Sequence, residues 1–311
     1  MKYGFGVDLG GTTAKIAYFD REGKLLQKWE IPTNTGNAGT AILPDIADAI
    51  QKFIRDHRID PADLLGVGIG VPGTVDKDGV VYGCVNLGWG TFNVKDALGA
   101  LIGLPVAVGN DANVAALGES WMGGAKDYQS MVMVTLGTGV GGGVVNDGQL
   151  VVGVGGGAGE IGHMTLNRQE KTPCGCGRYG CVEQYCSATG IVRMARRMLQ
   201  TSDTPSCLRE TVELTAKAVF DGAKAGDPLA AAVTEQFFAY MGEFLANICC
   251  VMAPEMILLG GGVSKAGDFL LEGVRKAFRC AAFHAHRDTR FALATLGNDA
   301  GAYGAFKLIL G

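Results

Sequence analysis

Two stretches of this chain are built to one plan. VDLGGTTAKIAYFD (7–20) and VTLGTGVGGGVVND (134–147) each run from an apolar strand through one polar residue, Leu and Gly into a Gly/Thr turn, then into a second apolar run. Short β-forming runs separated by a glycine turn read as β-hairpins. Asp8 and Thr135 hold equivalent places in the two copies, 127 residues apart. A chain that restarts the same hairpin is constrained to fold as two related halves. The length agrees, because 311 residues suffice for two lobes whose core needs no covalent staples.

The elements around the hairpins predict an α/β fold. Leu25–Ile31 completes a meander, and Ile42, Ile46, Ile50, Phe53 and Ile54 recur at helical spacing. Leu64–Val71 reads as a buried strand. Helices are predicted over Phe92–Leu101 and Asn113–Trp121, flanking a strand at Pro105–Val108. Beyond the second hairpin the pattern is mostly helical from Gly190 to about Met252. A strand (Met256–Leu259), a helix near Phe269–Phe278, a strand (Phe291–Leu296) and a terminal helix (Ala300–Leu310) follow. The lobe boundary is placed at Asn110–Asn113, giving a small lobe of 1–112 plus about 297–311 and a large lobe of 113–296.

Composition excludes several classes. Hydrophobic residues at 48% and charged residues at 19% fit a globular chain rather than a disordered one. A net charge of −4 without any Lys/Arg run gives no footprint for nucleic acid or an anionic membrane surface. The first residues reach Asp8 before an apolar signal core can form, and no apolar stretch has the length of a membrane span. A cytoplasmic location is expected.

Glycine, 49 residues, falls in blocks at 4–11, 66–73, 137–143, 153–162 and 260–262. Gly68-Gly70-Gly73 and Gly137-Gly139-Gly142 match G-x-G-x-x-G, but neither opens a helix, and a dinucleotide fingerprint needs a helix N-terminus for the pyrophosphate. There is no G-x-x-x-x-G-K-[ST]. A glycine hairpin turn offers another phosphate site, since successive bare N–H groups form a concave donor array. Gly10 and Gly11 supply it in the first copy with the hydroxyls of Thr12 and Thr13, and Gly137 and Gly139 with Thr138 in the second. Gly260-Gly261-Gly262, after a strand, offers bare backbone to an adenine ring.

These motifs in this order resemble the ROK family of sugar kinases, within the two-lobed actin/hexokinase/Hsp70-like (ribonuclease H-like) ATPase fold with its duplicated β-hairpin-plus-helices unit. DLGGTTAK resembles the first phosphate motif, TLGTGVGGG the second and LLGGGVS the adenosine motif. GIGVPG, GNDANVAALGE, GAGEIGHM and CGCGRYGCVEQYCSATGI resemble the sugar and metal signatures. The resemblance spans nearly the whole chain. It implies ATP as phosphoryl donor, with polyphosphate the alternative. Asp8 would hold Mg2+, with Lys15 near the same turn. Asp111 would be the general base, and Gly73, Asn110, Asp111, Glu160, His163 and Glu183 would contact the sugar.

CGCGRYGC (174–181) crowds three cysteines into eight residues. With His163 they form H-x10-C-x-C-x4-C, and His163, Cys174, Cys176 and Cys181 make a Cys3His set suited to tetrahedral Zn2+. Cys186 is a competing ligand, set aside because its surroundings read as a helix. A closed four-ligand site is structural. It would pin the loop carrying His163 and Glu183, with one His163 ring nitrogen on the metal and the other facing the sugar. The resemblance thus implies phosphorylation of a hexose at its 6-hydroxyl, glucose first. N-acetylglucosamine, N-acetylmannosamine or fructose are the alternative acceptors, and a non-catalytic sugar sensor is the alternative class. It also implies a homodimer or homotetramer.

Overall fold

The computed structural model describes residues 2–311. β1 (Tyr3–Leu9) and β2 (Thr13–Asp20) form the first hairpin, and β3 (Leu25–Pro32) completes the meander. A short turn, α1 (Gly36–Gly39), leads to α2 (Ile42–Asp56), which buries Ile42, Ile46, Ile50 and Phe53 on one face. β4 (Leu64–Val71) follows, then β5 (Val80–Cys84) and β6 (Trp89–Asn93), α3 (Val94–Ile102), β7 (Val106–Asn110) and α4 (Asp111–Met122). The second hairpin is β8 (Met131–Leu136) and β9 (Val140–Asn146), extended by β10 (Gln149–Leu150). Then come α5 (Glu183–Cys186), α6 (Ala188–Thr201), α7 (Ala216–Lys224) and α8 (Pro228–Met252). β11 (Met256–Gly260), α9 (Asp268–Ala281), β12 (Arg290–Leu293) and α10 (Ala300–Leu308) close the chain.

The two sheets repeat one topology. The first has the order β3-β2-β1-β4-β7 and the second β10-β9-β8-β11-β12. In the first, β1 pairs antiparallel with β2 and parallel with β4, and β4 pairs parallel with β7. In the second, β8 and β12 both pair parallel with β11. Each glycine turn therefore joins the central strand of its sheet to the antiparallel neighbour.

The chain divides into two compact units, 1–129 with 143–159 and 295–311, and 130–142 with 160–294. The first unit runs past the boundary expected at 112/113 because α4 packs on α10, and α10 arrives from the far end of the chain. The contacts of α10 are made by backbone: a Cβ on Gly304 would lie 1.6 Å from the Val114 carbonyl oxygen of α4, and one on Gly68 of β4 1.7 Å from that of Ala305. Around it, Phe19 and Phe306 are fully buried and stack with ring centroids 4.9 Å apart. Each such ring contributes about 1.5–3 kcal/mol by leaving water.

Local competition moves three element ends. The helix expected from Phe92 begins at Val94, because residues 89–93 pair with β5 and the Asn93 side chain caps the Asp96 N–H. Residues 202–215 interrupt the long helical stretch, with a single 3-10 turn at Cys207–Arg209. The last strand stops at Leu293 rather than Leu296. The N–H groups of Thr295 and Leu296 instead donate to the fully buried Glu119 carboxylate, at 3.1 and 2.7 Å, and Gly124 N donates to it at 2.8 Å. With the Thr295 hydroxyl at 3.4 Å, these N–H groups offset the cost of several kcal/mol that burying a carboxylate carries.

Candidate active site

In the first unit, the β1–β2 ladder places Asp8 opposite Lys15. Their side chains meet at 3.5 Å, and Lys15 Nζ also lies 3.5 Å from the Asn298 carbonyl oxygen. Burial pushes the Asp8 carboxyl above the usual range, and Lys15 opposes that shift. At the turn, Gly10 N donates to Thr13 O at 2.9 Å, and Thr33 pins the outer side. Its Oγ1 donates to Gly10 O at 2.8 Å and its N–H to Thr12 O at 2.9 Å. Gly11 and Thr12 stay exposed. Thr33 has no motif of its own; it reaches the turn only because β3 runs beside β2.

At the carboxyl end of β7, Asn110 and Asp111 divide two tasks. An Asp that begins a helix is often its N-cap, but here the cap is Asn110, whose Oδ1 accepts from Asn113 N at 3.1 Å. Asn110 Nδ2 donates to the Gly73 carbonyl at 3.0 Å, which ties the β4 exit to the β7 exit. Asp111 is exposed on the first turn of α4 and accepts from Ala112 N at 2.8 Å. Cys84, which sequence reading passed over, is buried near it. Its thiol is pushed up by burial and, to a lesser degree, by the Asp111 charge.

In the second unit the four proposed metal ligands come together. One ligand atom each from His163, Cys174, Cys176 and Cys181 all lie within 4.8 Å of one another. Cys176 Sγ and Cys181 Sγ are 3.7 Å apart, and Cys174 Sγ is 3.9 Å from His163 Nδ1. A tetrahedral site with Zn–S bonds of about 2.3 Å puts ligand atoms at such separations. Burial and the neighbouring thiols push Cys181 up to about 12, so its sulfur gives up the proton only to a cation held beside it. Cys186 is fully buried outside the cluster. The other His163 nitrogen, Nε2, stands 3.9 Å from Glu160 Oε2, and Glu160 is exposed.

Two side chains of α5 hold this loop without any metal. Gln184 Oε1 accepts from Gly180 N and Cys181 N at 2.9 and 3.1 Å, and its Nε2 donates to Thr172 O at 2.9 Å. Tyr185 OH donates to Glu170 Oε2 at 2.6 Å, and Arg193 reaches the same oxygen at 2.9 Å. The Tyr185 bond is the main reason the Glu170 carboxyl is held down at about 2. Immediately before them in sequence, Glu183 turns back. Its Oε1 lies 3.6 Å from Cys174 Sγ and its Oε2 accepts from Val140 N at 3.1 Å. Gly139 makes room for that carboxylate, since a Cβ there would be 2.2 Å from Oε2.

The three glycines at the end of β11 differ in role. Gly260 packs toward Met133 and Ala294, and Gly261, at φ +81°, backs onto the Leu136 main chain. Gly262 alone lines a cleft of about 310 Å³, with Ala188, Thr215, Ala216, Phe220 and Val263. This mostly apolar slot suits a flat ring. Its α7 wall carried no sequence signal.

Two glycine turns on matching sheets, with carboxylates at the strand ends, define an actin/hexokinase-like member of the sugar-kinase class. The chain belongs to the ROK family, whose model matches residues 4–311. It is 45% identical over 310 residues to a glucokinase of Halalkalibacterium halodurans, covering 98% of this chain and 94% of that one. The structure of a ROK family glucokinase from Streptomyces griseus, in complex with glucose and AMPPNP, superposes with a TM-score of 0.78 at 32% identity over 98% of both chains. A ROK hexokinase from Thermus thermophilus gives 0.82 at 31% identity, over 97% of this chain and 96% of that one.

Proposed function

We propose that this protein is a glucokinase that moves the γ-phosphoryl group of ATP to the 6-hydroxyl of glucose. The observation that carries the reading is its likeness to a glucokinase along nearly the whole chain. The placement of Asp111 supports it, since Asn110 has taken over the capping of α4.

In the first unit, Asp111 accepts the proton of the 6-hydroxyl as that oxygen forms its bond to the γ-phosphorus and the bond from phosphorus to the ADP oxygen breaks. Asn110 and the Gly73 backbone orient the sugar. Gly10, Gly11, Thr12 and Thr13 give N–H and hydroxyl donors to phosphate, and Lys15 adds a positive charge beside them. In the second unit, Glu160, His163 and Glu183 engage sugar hydroxyls, which need acceptors and donors in fixed places. Gly137, Thr138 and Gly139 form the second phosphate turn. The cleft at Gly262 takes the adenine, with Gly260 and Gly261 shaping the approach.

Two metals fit the residues present. Asp8 offers Mg2+ one hard carboxylate oxygen, as an ion that keeps most of its ligands from water and phosphate requires. Mg2+ supplies neutralisation of the charge on the transferring phosphate. His163 Nδ1, Cys174, Cys176 and Cys181 would hold Zn2+ in a closed structural site. The same reading implies a homodimer or homotetramer in the cytoplasm. Among the described residues no helix is long and apolar enough to cross a membrane.

A coupled ADP-release assay with Mg-ATP tests the function across glucose, mannose, fructose, N-acetylglucosamine and N-acetylmannosamine, with Asp111→Ala beside the wild type. Turnover chiefly on glucose, lost in the variant, is expected. Turnover chiefly on an N-acetylated sugar would move the acceptor. Tight sugar binding with no turnover on any acceptor would leave a sensor instead.

A further inference from the structure

The segment that carries Glu183 does more than present a carboxylate. Over seven residues it takes hold of the second phosphate turn at three points. Glu183 Oε2 accepts from Val140 N at 3.1 Å. Ala188 N donates to Gly137 O at 2.8 Å. Thr189 Oγ1 donates to Thr138 O at 2.8 Å. The turn's own closure, Gly137 N to Gly139 O at 3.0 Å, lies inside this grip. The segment is itself stiff: Ser187, fully buried, caps the Gly190 N–H at 3.0 Å and bonds the Thr189 hydroxyl at 2.8 Å.

We infer that residues 183–189 couple sugar and nucleotide binding, with Thr189 as a positioning residue for the phosphate turn. This rests on the glucokinase reading of the same site. A turn rich in glycine is costly to order, because glycine loses the most conformational freedom on being fixed. Three bonds from one segment give the turn one shape, and that shape depends on where the Glu183 carboxylate sits. A carboxylate accepts up to about four hydrogen bonds, so Glu183 can keep Val140 N while taking a sugar hydroxyl. A sugar that fixes Glu183 therefore also fixes the turn. The nucleotide then binds a turn already ordered, and by linkage the nucleotide tightens the sugar by the same factor. Thr189 touches neither ligand in this scheme. It is exposed, so replacing its hydroxyl tests the grip without opening a hole in the core.

The test is calorimetric. Glucose is titrated into the full-length protein with and without saturating AMPPNP, for wild type, Thr189→Val, Thr189→Ala and Thr189→Ser. The wild-type Kd for glucose is expected to fall about tenfold with AMPPNP, inside the usual span of binding couplings. Thr189→Val and Thr189→Ala should cut that ratio at least about threefold, while Thr189→Ser, which keeps the hydroxyl, retains it. If the valine variant does not fold, the alanine and serine pair decides. A ratio unchanged in the variants, or a wild-type ratio of one with both ligands binding, overturns the coupling and leaves the kinase reading intact. A wild-type protein that binds no glucose at all sinks both.

Discussion

Gly301, in the first turn of α10, lies against the Asp8 carboxylate so closely that a methyl group there would stand 2.7 Å from Asp8 Cγ and 2.8 Å from Oδ1. Glycine at 301 thus fixes how far Asp8 can settle into its sheet. Gly301→Ala is expected to displace the carboxylate and lower kcat at least about tenfold, roughly 1.4 kcal/mol of barrier, with a raised Mg2+ requirement. A magnesium titration of the rate, checked against a melting curve, reads this. An unchanged Mg2+ dependence would show that Asp8 is not a ligand whose position matters.

Asp111→Asn keeps the shape of the side chain and removes its basicity. The expected loss in kcat is between about a hundredfold and ten-thousandfold, the range for a general base. Glucose affinity should stay within about threefold of wild type. Rapid-quench single-turnover kinetics separates the chemical step from product release. A variant with wild-type chemistry would move the base elsewhere.

The metal loop makes a stoichiometric prediction. Purified wild-type protein should carry one zinc per chain by elemental mass spectrometry, and Cys176→Ser should carry far less. Cys176 is the exposed member of the four, so the substitution leaves the buried sulfurs in place. Gln184 and Tyr185 hold the same loop independently, so the variant should fold with a lower Tm and a raised KM for glucose rather than collapse. A metal-free wild-type protein with full activity would contradict the assignment.

Glu170 links stability to acidity. Its carboxyl, ordinarily at 4.5, is held at about 2, chiefly by the Tyr185 hydroxyl. A depressed acid contributes stability that is present above its unfolded value and is lost as pH falls toward its folded one. Tyr185→Phe removes the bond and should cost about 1–2 kcal/mol at neutral pH. The gap between wild type and variant should narrow as pH drops from about 5 to about 3, measured by chemical denaturation at each pH. A gap independent of pH would assign the loss to packing instead.

What sequence reading reached and what it missed divide along chain distance. Asp8 and Lys15 sit seven residues apart on one hairpin, and His163 with its three cysteines spans 19 positions, so spacing alone could group them. Thr33, Cys84 and the α7 wall of the cleft act through neighbours supplied by other elements, and no local pattern marks them; Thr189 stood inside a recognised motif, but its partner Thr138 lies 51 residues away. The compact unit that holds α4 extends past residue 112 for the same reason, since the burial of α4 depends on a helix that begins at residue 300. Glu119 stood inside a recognised motif, yet its task is set by Thr295 and Leu296, on the far side of the chain. Gly260 and Gly261 shared a block with Gly262, and only tertiary packing separates the glycine that opens the cleft from the two that back the sheet.

The junction at Gly68 and Gly304 has a consequence for tolerance to change. Side chains that meet in a core can absorb an added methyl by switching rotamer. Carbonyl groups have no such freedom, and here both glycines face carbonyls. A library of random substitutions should therefore find these two positions intolerant even of alanine, while an exposed neighbour in the same region accepts most residues. The seating of the C-terminal helix is in that sense written in the main chain, and a chain that drifts elsewhere on its surface has no second way to make it.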